Sequence, residues 1–247
     1  MGKLSNSSFE EKMRKIIRKV LPKSLKLQIK LFQRFILDLK KPFVYSKNKS
    51  LEKIGNFSIE LSQPIMPSEF FENKIHNLTV VSEKINHLII QPGEVFSFWK
   101  TVGKPSLKNG FKEGRNLIQN KISTDLGGGI CQFSSILYYL AIQSGLQIIE
   151  RYSHSLDIYK EHERFTPLGS DCTVSYGYKD LQILNSLSFP IQFYSKIEDN
   201  RLILEIISNQ KIEQKNIHFL YHETKNGVEV ETIMNDKKLF KNFYKRL

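Results

Sequence analysis

The chain of 247 residues has only two cysteines, Cys131 and Cys172, which excludes a disulfide-stapled scaffold. One functional thiol in a reducing compartment is a more economical reading than a Cys131–Cys172 bridge. Neither CxxC nor HExxH spacing occurs, so no metal centre is expected, and no cofactor is implied. His218 and His222 are four residues apart, but they sit in an aromatic, strand-like stretch and read as surface or core residues. No apolar run reaches the ~18 residues of a membrane span. No short apolar segment follows the early charges as a secretory leader requires. The expected location is therefore cytoplasmic, at most peripheral at the inner membrane face. Internal repeats and low-complexity tracts are also missing.

Acidic residues are scarce at the start. Residues 1–50 hold 14 Lys+Arg and 3 Asp+Glu, a net of +11 within a whole-chain net of +12. The basicity thus belongs to an N-terminal arm and not to the remainder. From Phe9 to Lys40 the arm interleaves Lys12, Arg14, Lys15, Arg18 and Lys19 with Met13, Ile16, Ile17, Val20 and Leu21. Pro22 breaks it, and a second apolar and basic segment follows. Such an arm can lie on an anionic membrane surface, bind nucleic acid, or pack its apolar face on the domain behind it. Nucleic acid is disfavoured, because the rest of the chain offers no basic face with base-stacking aromatics.

After a linker at Lys47–Ser50, Phe57–Leu61 reads as a strand. Asn73–Asn86 reads as a helix with Ile75, Leu78, Val81 and Ile85 on one face. His87–Trp99 reads as a buried strand, a Pro92-Gly93 turn and an aromatic cluster. Leu117–Ile122 is expected as a short strand, as are Leu146–Tyr152, Asp171–Gly177 and Leu181–Leu184. Hairpins are expected from Phe189–Tyr194 with Arg201–Ile207 and from Ile217–Glu223 with Val228–Met234, the second on its Asn226-Gly227 turn. Lys237–Leu247 reads as a short basic helix. The fold class that results is α+β, with a cysteine-bearing helix packed on an antiparallel sheet. Its divisions are a basic helical arm over 1–50, a central domain over 51–207, and a β-hairpin with a basic tail over 208–247.

The centre of the chain is Gly127-Gly128-Gly129-Ile130-Cys131-Gln132. Phe133, Ile136, Leu137, Leu140 and Ala141 then recur at helical spacing, and Gly145 supplies a stop. A thiol at a helix start faces unpaired N–H groups and the positive end of the dipole, which favours the thiolate. Gly128 and Gly129 let the backbone approach a substrate and aim N–H groups at a developing oxyanion. Gln132 can add an amide there or simply face water. Downstream, His154 follows a strand and Asp171 opens the next. Nucleophile, base and base-orienting carboxylate in this order are what covalent acyl transfer uses. Each also has a plainer role: a buried thiol, a structural histidine, a turn aspartate. Cys172 alternates with Asp171 and reads as a small core hydrophobe, and His162, among Lys160, Glu161, Glu163 and Arg164, reads as solvated.

These motifs carry a resemblance. Gln91-Pro92-Gly93-Glu94-Val95-Phe96-Ser97-Phe98-Trp99, Gly110-Phe111-Lys112-Glu113-Gly114, the Gly127–Gln132 block, Ile149–Ser155 and Pro167–Gly177 resemble the VanW family, from about Leu88 to Tyr194. The resemblance implies a link to glycopeptide resistance or cell-wall metabolism. It also implies a cysteine acyl-transfer activity, L,D-transpeptidase-like or peptidase-like, on peptidoglycan-precursor or related peptidyl substrates. Cys131 would be nucleophile, His154 base and Asp171 orienter. Transglutaminase-like and papain-like folds offer an analogy for that order. Where the family often has His-x-His, this chain has Tyr152-Ser153-His154, which leaves a single histidine to serve. The alternative is a non-catalytic accessory module that binds a cell-wall precursor or a membrane partner.

Overall fold

The computed structural model describes residues 21–118, 121–157 and 164–246. The first basic run of the arm, through residue 20, and His162 lie outside the described residues. The chain forms two compact units, Met1–Pro42 and Phe43–Leu247.

In the first unit, helix α1 (Lys23–Leu39) begins directly after Pro22, a position where the missing N–H costs nothing. None of its residues is buried. Phe32, Phe35, Leu37 and Leu39 are all more than half exposed. Among the described residues no helix is long and apolar enough to cross a membrane.

The second unit is an α+β assembly. Its elements in order are β1 (Val44–Tyr45), β2 (Phe57–Pro64), α2 (Phe71–Ile85), β3 (Ile89–Ile90), β4 (Glu94–Ser97), α3 (Phe98–Val102), β5 (Glu113–Ile118), β6 (Lys121–Leu126) and α4 (Cys131–Gln143). There follow β7 (Gln147–Glu150), β8 (Leu156–Asp157), β9 (Gln182–Leu184), β10 (Ile191–Glu198), β11 (Arg201–Ser208), β12 (Ile217–Thr224), β13 (Gly227–Met234) and β14 (Lys237–Arg246). The described strands form sheets of order β1-β4-β9-β7, β2-β11-β10-β3 and β12-β13-β14-β8, and a β5-β6 hairpin. Residues 43–50, grouped with the arm in sequence, join the second unit: β1 runs parallel to β4.

Helix α4 packs on β2 and β11 of the antiparallel sheet. Its expected stripe of Phe133, Ile136, Leu137, Leu140 and Ala141 is buried, and so are Ser134, Tyr138 and Ile142. A helix apolar on nearly every side belongs in the centre of a domain. On β11, Leu202, Leu204 and Ile206 face inward at the period of a strand. The helix stops at Gly145, whose φ is +73°. Gly145 N–H donates to the Ile142 carbonyl and Leu146 N–H to that of Ala141, the two bonds of a Schellman end.

Three expectations need correction. Within Lys237–Leu247, expected as a helix, Lys237–Arg246 is strand β14. Asn235 and Asp236 both take positive φ, the signature of a two-residue hairpin turn. Buried Tyr244 then alternates with the exposed Phe243 and Lys245. Asp171–Gly177 is not a strand. It is irregular, with one bridge between Ser175 and Lys179, and side chains satisfy part of its backbone. Ser134 and Ser135 hydroxyls donate to the Cys172 carbonyl at 2.7 and 3.3 Å, and Cys172 N–H donates to Ser135 Oγ at 2.9 Å. Leu117–Ile122, expected as one strand, straddles the junction of β5 and β6.

Candidate active site

The site is built where α4 begins. The glycine turn delivers the chain to it. Gly128 lies flat on Gly114 of β5, and a Cβ there would sit 2.1 Å from the Gly114 carbonyl carbon. Gly129 has φ +91°, and its Cβ would meet the Lys74 side chain at 2.6 Å. Asn77 Nδ2 donates to the Gly128 carbonyl at 3.0 Å and anchors the turn on α2. Glycine here serves close backbone packing and a left-handed residue. Among the described residues the N–H groups of Gly129 and Cys131 have no protein acceptor. Gln132 ties α4 to β2, its Nε2 donating to the Pro64 carbonyl at 2.8 Å. Its Oε1 is buried without a partner.

Cys131 is the first residue of α4 and is half-buried. Its Sγ lies 3.7 Å from Thr173 Oγ1 and 3.8 Å from the Val174 carbonyl oxygen. Burial opposes ionisation of the thiol. Interaction with the His154 ring and its charge outweighs it, so the thiol is held below its ordinary value. On the imidazole, burial opposes protonation, but the hydrogen bond to Asp171 and the influence of the Cys131 thiol lift it to about 10. The two shifts together favour a thiolate–imidazolium pair.

His154 Nδ1 donates to Asp171 Oδ2 at 2.7 Å, and the same oxygen accepts the His154 backbone N–H at 2.6 Å. With Nδ1 committed to the carboxylate, Nε2 is the ring nitrogen left for the thiol. Burial opposes the Asp171 charge, yet the hydrogen bond and charge of His154, with Arg151 beside it, hold the carboxyl well below the usual range. The side chains of His154 and Asp171 remain 25% and 22% exposed, so one side of the group is open to solvent.

Sequence reasoning missed the support behind the aspartate. Asp171 Oδ1 accepts from Tyr244 Oη at 2.6 Å and from Arg151 Nη2 at 3.1 Å. The Arg151 side chain is 1% exposed. It also donates to the carbonyls of Gly169 and Asp171 and to Asn242 Oδ1, and its guanidinium lies 4.7 Å from the Tyr138 ring centre. Arginine's planar set of donors suits such a cluster of acceptors. Arg151, near the end of the strand-like stretch Leu146–Tyr152, was the available signal. Tyr244, 73 residues from Asp171, gave none.

Cys172 stands apart. It is fully buried, and burial pushes its thiol up. Among the described residues no group of three His, Cys, Asp or Glu side chains is placed to hold a metal ion.

A family profile described as VanW like protein matches residues 73–207. The vancomycin B-type resistance protein VanW of Enterococcus faecalis is 31% identical over 140 residues, which are 57% of this chain and 51% of that protein. The uncharacterized protein YoaR of Bacillus subtilis is 31% identical over 144 residues, 58% of this chain and 46% of that protein. The chain spans about half the length of the curated relatives it matches. No solved structure matches.

Proposed function

Because the chain belongs to the VanW family, we propose that it is a cysteine acyl-transfer enzyme for peptidyl substrates of the cell-wall-precursor class. The observation that carries this reading is the Asp171–His154 pair, with Asp171 2.7 Å from the imidazole, together with Cys131 as the first residue of α4; the direction of the thiol's shift agrees with it.

The chemistry follows from the roles. The Cys131 thiolate adds to the acyl carbon of a peptide bond. The carbonyl electron pair moves onto oxygen and returns as the carbon–nitrogen bond breaks. His154 gives its Nε2 proton to the departing amine and leaves a thioester on Cys131. A second amine, or water, then adds to the thioester. His154 takes the proton of that nucleophile, and the thiolate leaves to restore the starting pair. Asp171 holds the ring tautomer throughout and faces the positive charge on it. The N–H of Cys131, left without an acceptor at the first turn, is the natural donor to the tetrahedral oxyanion, and Gly129 N–H is a second candidate. Gly128 acts by keeping the turn close to Gly114, and Gln132 by tethering the helix start. The order of the three residues is analogous to that of transglutaminase-like and papain-like enzymes, which supports a role and not a shared ancestry.

The substrate class rests on kinship. One relative is named for resistance to vancomycin, and the family resemblance implies cell-wall-precursor chemistry. Our reading places this chain's activity in that chemistry, on precursors reached from the inner membrane face. Helix α1 supports the location: Lys23, Lys26 and Lys30 share it with exposed Phe32, Phe35 and Leu39, the composition of a helix that lies in an anionic lipid interface. Removing residues 1–42 should abolish binding to anionic vesicles, and salt should weaken it in the full chain. Equal binding without those residues would discard the membrane role.

The activity is tested by peptide hydrolysis and amine transfer on stem-peptide substrates, with mass detection of a Cys131 thioester. Cys131→Ser and His154→Ala should each abolish turnover. Full activity in Cys131→Ser would end the proposal.

A further inference from the structure

Strand β14 lies beyond residues 73–207, the span shared with the family, yet it reaches the catalytic group twice. Its backbone runs parallel to β8, pairing Lys245 with Leu156 and Arg246 with Asp157. Lys245 N–H donates to the Ser155 carbonyl at 3.0 Å, one residue past His154. Its side chains reach the other partner. Tyr244, with no exposed surface, donates to Asp171 Oδ1 at 2.6 Å, and Asn242 Oδ1 accepts from Arg151 at 2.8 Å. One strand therefore holds the segment bearing His154 by its backbone and the Asp171 carboxylate by its side chains.

Such a hold is needed. The last torsion of an aspartate is broad and roughly two-fold, so a carboxylate fixed at one oxygen can swing the other away. Asp171 stands on an irregular segment and not on a strand, which leaves its backbone without a ladder to orient it. With Oδ1 occupied by Tyr244 and Arg151, Oδ2 stays aimed at the two N–H groups of His154. The strand itself is well anchored: β14 pairs with β13 along nearly its whole length, and Tyr244 packs with Val228 and Val230.

We infer that the C-terminal sheet is a positioning device for the catalytic group, with Tyr244 the residue that orients Asp171 against His154. The inference rests on the acyl-transfer reading of Cys131. It adds that part of the machinery comes from outside the family span.

The test compares wild type with Tyr244→Phe, first confirming by circular dichroism that the variant is folded. Two readouts are taken against pH: alkylation of Cys131 by iodoacetamide, and the His154 ring titration by NMR. A purely structural tyrosine would change melting and leave both titrations in place. The expected result is a Cys131 alkylation curve moved upward by about half to one pH unit and a His154 titration moved downward by a similar amount. Curves that overlay wild type in the folded variant overturn the inference. Should Tyr244→Phe fail to fold, Asn242→Ala is read the same way, with a smaller shift in the same directions expected and no shift counting against. Failure of the underlying reading looks different: wild-type Cys131 would then titrate as an ordinary thiol. A low wild-type curve unmoved by the substitutions sinks only the positioning role.

Discussion

Replacing Asp171 by Asn separates geometry from charge. The side chain keeps its shape, but one oxygen becomes an NH2. Arg151 and Tyr244 both offer protons to Oδ1 and retain the remaining oxygen, because the arginine is 1% exposed and cannot turn to water. The new NH2 therefore faces His154, where two N–H groups had donated to Oδ2. Donor meets donor at the backbone, and at the ring the amide favours a lone pair on Nδ1, with the proton on Nε2. His154 then has no base to offer Cys131, and it loses the carboxylate that, together with Cys131, lifts it to about 10. At an ordinary value of ~6.5, about a tenth of the rings are protonated near pH 7.5, where wild type is almost fully so. The thiolate–imidazolium population, and with it Cys131 alkylation, should fall about tenfold. Stability should fall as well. Breaking a buried ion pair costs about 3–5 kcal/mol, and the lower end applies because Gly169, Asp171 and Asn242 still accept from Arg151. The assays are iodoacetamide kinetics across pH and urea unfolding. A folded Asp171→Asn variant with the wild-type alkylation profile would refute the coupling of Asp171 to Cys131 through His154.

Three further outcomes are expected. Gly128→Ala places a Cβ 2.1 Å from the Gly114 carbonyl carbon and should cost about 2–3 kcal/mol in urea unfolding; a loss below about 0.5 kcal/mol would show that the turn can relax. Cys172→Ala removes one buried sulfur and should cost about 1 kcal/mol while leaving the Cys131 alkylation profile in place. A moved profile would give Cys172 a part in the chemistry. Asp171 is depressed in the folded state, so its stabilisation is complete above the ordinary value of ~3.9 and is lost as pH falls below it. Wild-type stability should therefore drop more steeply with acid below about pH 4 than that of Asp171→Asn, and parallel acid limbs would contradict the depressed value.

Local signals account for much of what could be read before folding. The stripe from Phe133 to Ala141 and the Gly145 stop describe α4, and they do so because helix periodicity and its termination are properties of neighbouring residues. The second hairpin was legible from Asn226-Gly227, although the turn residues are Lys225 and Asn226 and Gly227 opens β13. The C-terminal segment was not, because basic and aromatic residues suit either state. Asn235-Asp236 declares a turn only once Lys237–Arg246 is known to pair with β13. Asp171–Gly177 alternates like a strand but, among the described residues, has no strand beside it along most of its length. Ser134 and Ser135 take the place of a ladder, and no short-range pattern announces that.

The sequence by itself determined the α+β class, the central helix with Cys131 at its start, and the naming of Cys131, His154 and Asp171 as a group worth bringing together. Each of these depends on residue type and short spacing. Only the tertiary structure decided what surrounds the group: the clasp of Gly128 on Gly114, Gln132 spent on Pro64, and Arg151 and Tyr244 behind the carboxylate. Those contacts join residues that are 14 to 93 positions apart in the chain. Their energy comes from burying charge and hydroxyl together, and that is available only after the sheets have closed around them.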